Sequence, residues 1–428
     1  MSIYSWLLSR FRMLRGLLAR MVWLRTYYLK FLLTVLSAVL VFAFFSINEG
    51  DWYSIAINIQ NYGYLTEAIA VLILAISVIK GWSIAHTDVT FEKLEPVIRI
   101  SNETGAYDCC VPFGKQSIVF NTDVNLSLEQ GSNPLRMISG KFKLHPLIYQ
   151  LLPVFIMKMP ESGLDTSDDA KVKLASDLDP DVIRSGATLN LQRTSYFRDR
   201  LSNTLANYLV KMEGRVILDL RSTEVMTREG YFYSLRESSL SNQLGGSVLL
   251  FTSDSTIIML SQGNRTAENA GRLAPAGSGS FDPLPRKKLE SLTFQEYARR
   301  EVARELREEC GLSVQDVHNV QICGFGRYLY RNGKPEVFCV ATTRKTSNEI
   351  RIPVREWDYQ QKKVKIMPFW GALTRENALT GIEQLISNIE IKADGYENSS
   401  APLYWNALFA KHYLEALGGE NEAKLFEL

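Results

Sequence analysis

Arg304-Glu-Leu-Arg-Glu-Glu-Cys-Gly-Leu312 is the stretch on which the reading of this chain turns. At about 3.6 residues per turn of helix, Glu301, Glu305 and Glu308 fall within about 60° of one another, with Glu309 beside them. Four carboxylates inside roughly a quarter-turn repel, and ordinary solvated helices spread or alternate such charges. A hard divalent cation relieves the repulsion. Oxygen ligands suit Mg²⁺, which also bridges to substrate phosphates. Arg304 projects next to Glu308 and can fix carboxylate geometry. Val302 and Leu306 give the opposite flank something to bury, and Gly311 stops the helix. The plain alternative is a Glu/Arg-rich surface helix.

Outward from that helix, the pattern alternates strands and helices. Strand-like runs lie at 215–220, 247–252, 256–262, 320–330 and 337–343, the last two joined by a turn at Asn332-Gly333. Residues 196–211 have helical periodicity, as do 376–387 and 404–417. Arg272 to Asp282 reads as a Gly/Ser loop. The expected fold class is α/β, an α/β/α sandwich with a mixed sheet covered by helices. Residues 87–190 mix short strand-like runs with acidic loops and show no chemistry, so they read as a connecting or accessory region before a domain at 191–428.

Charge and hydropathy set the N-terminus apart. The chain has 428 residues, 48 basic and 46 acidic, for a formal charge of +2. Arg10, Arg12, Arg15, Arg20, Arg25 and Lys30 precede the first acid, so residues 31–428 carry a net charge of −4. A surface for duplex nucleic acid is not expected of an acidic body. Phe31–Ile47 carries no charge, and Tyr64–Ala85 is a second apolar run with Glu67 near one end and Lys80 near the other. Each approaches the roughly 20 residues that cross a bilayer. Residues 1–27 then form a basic juxtamembrane segment and 28–86 a two-helix transmembrane hairpin. The excess of Lys and Arg before the first run places both termini in the cytoplasm, which describes a multi-pass protein of a bacterial inner membrane. Five cysteines without a CxxC pair read as reduced thiols.

The stretch at 304–312 matches the core of the Nudix box, R-E-U-x-E-E-x-G-U, where U is aliphatic, and Glu296 stands at the box's first glutamate. One departure is that the box's opening Gly is replaced by Glu290. The nearest glycines, Gly277 and Gly279, lie upstream, as if Asp282 to Ser291 were inserted. Together with Leu240–Gly246, Leu250–Asp254 and Ala274–Ser280, the architecture resembles the two-transmembrane Nudix effectors of CBASS antiphage systems, whose Nudix domains are associated with CD-NTase second-messenger synthases.

That resemblance implies a receptor. A CD-NTase makes a cyclic oligonucleotide, the Nudix-like domain binds it, and the protein oligomerises and impairs the lipid bilayer, ending in cell death or abortive infection. Candidate nucleotide contacts are Gly277, Ser278, Gly279, Arg272 and Asn242. Candidate metal ligands are Glu305, Glu308 and Glu309, holding Mg²⁺, with Arg304 orienting them. In the alternative, the same three glutamates are catalytic and the chain is a membrane-tethered, Mg-dependent Nudix hydrolase of nucleoside diphosphate derivatives. A third reading is a membrane scaffold with a degenerate Nudix fold. The displaced glycine weighs against hydrolysis, and cyclic phosphodiesters lack the pyrophosphate such enzymes cut.

Overall fold

The structure is a computed structural model that describes residues 88–97, 107–158, 168–228, 230–263, 270–356, 360–391, 398–418 and 420–426. Its strands in chain order are β1 (Val89–Lys93), β2 (Cys109–Phe113), β3 (Gln116–Phe120), β4 (Leu135–Lys141), β5 (Ala170–Leu174), β6 (Leu189–Ser195), β7 (Tyr208–Met212), β8 (Arg215–Leu218), β9 (Gly245–Thr252), β10 (Thr256–Gln262), β11 (Leu273–Pro275), β12 (Gly277–Ser280), β13 (Val317–Tyr328), β14 (Lys334–Thr343) and β15 (Gln360–Pro368).

Strands β9, β10 and β14 read as nearly unbroken apolar runs and are buried along almost their whole length. A run without polar alternation needs cover on both faces of its sheet. It gets that cover in a nine-stranded sheet ordered β11-β10-β9-β14-β13-β3-β2, with β12 also on β9 and β15 on β10. β14 runs parallel to β9 and the other pairings are antiparallel, so the sheet is mixed. Alternate residues feed two cores. Val248, Leu250, Val337, Cys339 and Ala341 meet Phe294, Tyr297, Val302 and Leu306 of the helix Phe294–Cys310, the box helix. Leu249, Phe251, Phe338 and Val340 meet Trp405 and Phe409 of the helix Ala401–Ala416, with the helix Arg375–Ile391 alongside. Burying one such side chain fully is worth about 1.5–3 kcal/mol. The mixed α/β architecture therefore follows from the patterning.

Strands from either side of residue 190 share the sheets and cores. β2 and β3 extend the large sheet, and β4 and β5 flank β6 in a second sheet. Val172 of β5 donates its N–H to the Phe281 carbonyl at 3.2 Å and accepts from Leu244 at 2.9 Å. β1, β7 and β8 form a third sheet.

Three expectations are corrected. The longest helices among the described residues have 17 residues, and none is long and apolar enough to cross a membrane. The two N-terminal transmembrane helices, expected in 28–86, are unsupported and lie outside the described residues. With them falls the multi-pass inner-membrane placement. Residues 196–211 are not one helix. A short helix at Tyr196–Asp199 passes into a π-helical turn at Arg200–Thr204, then a 3₁₀ turn, then β7. The Gly/Ser loop at 272–282 is two short strands, β11 and β12. The five cysteines are free thiols.

Candidate functional site

The box helix starts where its sequence dictates. The Thr293 hydroxyl accepts from the Glu296 N–H while the Glu296 carboxylate accepts from the Thr293 N–H, a closed capping box. Glu296 is thereby an end-cap. Gly311 closes the helix in the left-handed conformation, φ 69°, where a β-carbon would meet the Arg351 carbonyl at 2.7 Å. The segment at Asp282–Ser291 is a tether. Leu289 is fully buried, and Glu290 accepts from the Met137 N–H at 3.1 Å and from Arg286 at 3.0 Å. Phe294 N–H donates to the Asn133 carbonyl at 2.8 Å, so the helix start is fastened to the β4 region.

Along one face of the helix the carboxylates converge on Arg304. Its guanidinium donates to Glu301 at 2.9 Å, Glu305 at 2.6 Å and Glu308 at 2.8 Å, and to the Ser280 carbonyl at 3.3 Å. Asp282 stands 3.6 Å away and is itself held by Lys171 at 2.6 Å. Glu301 is 1% exposed and Glu305 7%. Burial pushes the Glu305 carboxyl up to about 7, against the downward pull of Arg304 and Lys171 and with a further upward push from Glu308. Burial works against the Arg304 charge, but Glu305, Glu301 and Asp282 outweigh it and raise its pKa. Glu309 points elsewhere and accepts from the Ser278 N–H at 3.0 Å.

The glycines of β12 serve close approach. A β-carbon on Gly277 would stand 3.1 Å from the backbone nitrogen of Leu306, and one on Gly279 would run into the Glu305 carboxylate. So Gly277, Ser278 and Gly279 lie against Glu305, Glu308, Glu309 and Arg304, as one cluster. Asn242 and Arg272 are elsewhere. Asn242 is fully buried at φ 39°, with its side chain spent on Asn203 at 3.0 Å and Ser238 at 2.7 Å. Arg272 lies just before β11, beside a separate cavity. Lys171 and Asp282 complete the Arg304 cluster and were not foreseen. Lys171 is more than a hundred residues from the box, and only the β5 pairing brings it there.

Oxygen donors suit Mg²⁺ chemically, but their arrangement does not fit it. Two of the three expected ligands are turned onto Arg304 and the third onto a backbone N–H. Among the described residues no group of three His, Cys, Asp or Glu side chains is disposed to hold a metal ion. What the arrangement does is hold three carboxylates on one guanidinium and lock β12 to the box helix.

No family model matches the chain, and no curated protein does. Among solved structures, it is similar to the MutT protein of Methanosarcina mazei Go1, with 14% identity over 40% of this chain and 91% of that one, at a TM-score of 0.23. It is also similar to DR0079 of Deinococcus radiodurans, with 12% identity over 38% of this chain and 88% of that one, at a TM-score of 0.22. The Nudix-like reading stands on the box residues and their setting against the mixed sheet.

Proposed function

We propose that this chain is a nucleotide receptor, a CBASS effector whose Nudix-like domain binds a cyclic oligonucleotide from a CD-NTase without cleaving it. Occupancy would promote self-association and lead to the death or arrest of an infected cell. The observation that carries the reading is Arg304 at the centre of Glu301, Glu305 and Glu308. A cluster whose carboxylates are turned onto one guanidinium has no open set of oxygens with which to hold a cation against a phosphate. It keeps its value as a rigid brace, because buried carboxylates tolerate their setting only when paired.

A second reading, a Nudix hydrolase of nucleoside diphosphate derivatives, has one observation in its favour. Glu305 is buried on the box helix next to Glu308, and burial raises its carboxyl in the direction a general base needs. No hydrolytic step is assigned to it, since the arrangement does not fit the ion such a step uses. The two readings separate on products. The full chain is incubated with Mg²⁺ and either cyclic oligonucleotides or linear nucleoside diphosphate derivatives, and the mixtures are chromatographed. The receptor reading expects every compound back intact. Cleavage of a pyrophosphate link that disappears in Glu305→Gln would replace it with the hydrolase.

A further inference from the structure

A cavity of about 420 Å³ lies away from the box helix, among Lys93, Lys115, Asn207, Arg272, Tyr330 and Arg331. Neither the box helix nor β12 contributes to its lining. It is walled by the end of β1, the β2–β3 turn, the approach to β11 and the 3₁₀ turn Leu329–Arg331 between β13 and β14. The volume falls within the roughly 300–1,000 Å³ of small-molecule sites.

Its chemistry runs against the rest of the body. Among the described residues four cations and no acid line the cavity, in a chain whose residues 31–428 are net acidic. Among the described residues Lys115 and Arg272 form no ion pair.

The wall is built in advance of any ligand. Arg331 donates to Asp199 at 3.1 Å, and its carbonyl accepts from Asn203 at 3.3 Å. Asn332, left-handed at φ 51°, donates to the Asn203 carbonyl at 2.7 Å and to Asn207 at 3.0 Å. Asn207 donates in turn to the Tyr330 carbonyl at 3.1 Å and accepts from Arg221 at 2.8 Å. Asn203 sits in the π-helical turn, a distortion often found at functional sites. A wall ordered by its own hydrogen bonds loses little entropy on binding.

We infer that this cavity, and not the box, is the phosphate-recognising site of the protein. Lys93, Lys115, Arg272 and Arg331 hold the phosphate groups of a nucleotide ligand, and the ring of Tyr330 contributes an aromatic surface for a base. The ligand's identity as a cyclic oligonucleotide rests on the receptor reading. The site itself rests on the cavity.

The test is equilibrium dialysis of the full chain against cyclic dinucleotides, cyclic trinucleotides and inorganic pyrophosphate, at low and high salt. Wild type should hold at least one probe, more weakly as salt rises. Lys115→Ala with Arg272→Ala should lose at least tenfold in affinity, while Lys287→Ala matches wild type. Lys115→Ala alone, at an exposed turn, should show part of that loss even if the double variant folds poorly. Pyrophosphate held through these residues with every cyclic nucleotide ignored would keep the site and end the receptor reading. Cyclic-nucleotide binding that survives the double substitution and is lost in Glu308→Gln would keep the receptor and overturn the site. No probe held by wild type would overturn both.

Discussion

Gly279 and Glu305 are packed so closely that a β-carbon on Gly279 would overlap the Glu305 carboxylate. Glu305 has nowhere to retreat, because it is 7% exposed and bonded to Arg304. Gly279→Ala is therefore expected to lower stability by about 1–3 kcal/mol, the usual result of overpacking. Denaturant unfolding measures it. A neutral Gly279→Ala would show that β12 and the box helix are less tightly joined than described.

Arg304 serves three carboxylates, two of them buried. Arg304→Ala strands Glu301 and Glu305, and such breakage costs about 3–5 kcal/mol. Arg304→Lys should rescue little, since an ammonium cannot reproduce the fork of donors. Thermal unfolding of both variants tests this, and near-wild-type stability of the lysine variant would contradict it.

Glu296 matches the motif's first glutamate in sequence, yet it caps the helix. Glu296→Ala should cost about 0.5–2 kcal/mol and leave nucleotide affinity unchanged. Paired unfolding and binding measurements decide between cap and ligand contact. A loss of affinity at unchanged stability would return Glu296 to the binding machinery.

Some of this was legible from the chain alone. The box helix was legible because its carboxylates share one face at helical spacing and Gly311 stops it, and the β13–β14 hairpin because Asn332-Gly333 adopts the left-handed conformations such a turn needs. β12 was not, because Gly-Ser-Gly-Ser has the composition of a loop and becomes a strand only where a helix must come close. The change from helix to π turn to strand within 196–211 was hidden for another reason. Leu201, Leu205 and Val210 imitate a helical period while serving one core through different backbones. The cavity's four cations come from four separate segments, and no spacing rule gathers them.

Lys173 provides a pH handle. It is buried, donates to the Ser238 and Leu240 carbonyls at 2.7 Å each, and lies over the Phe142 ring. Burial, and then the nearby Arg327 charge, lower its pKa from 10.5 to about 8. Below pH 8 the folded protein bears the full cost of the buried charge. Between about 8 and 10.5 the unfolded chain binds the extra proton, so this group's contribution to stability rises with pH. Wild type should therefore show a more positive slope of unfolding free energy from pH 8 to 10 than Lys173→Met. Equal slopes would mean Lys173 keeps an ordinary pKa.

Binding without turnover is read from calorimetric titration of the full chain with cyclic di- and trinucleotides, followed by recovery of each ligand. Saturable binding of one of them, with that ligand returned intact, is the predicted result. Heat from none of them, or a ligand returned cleaved, would contradict it.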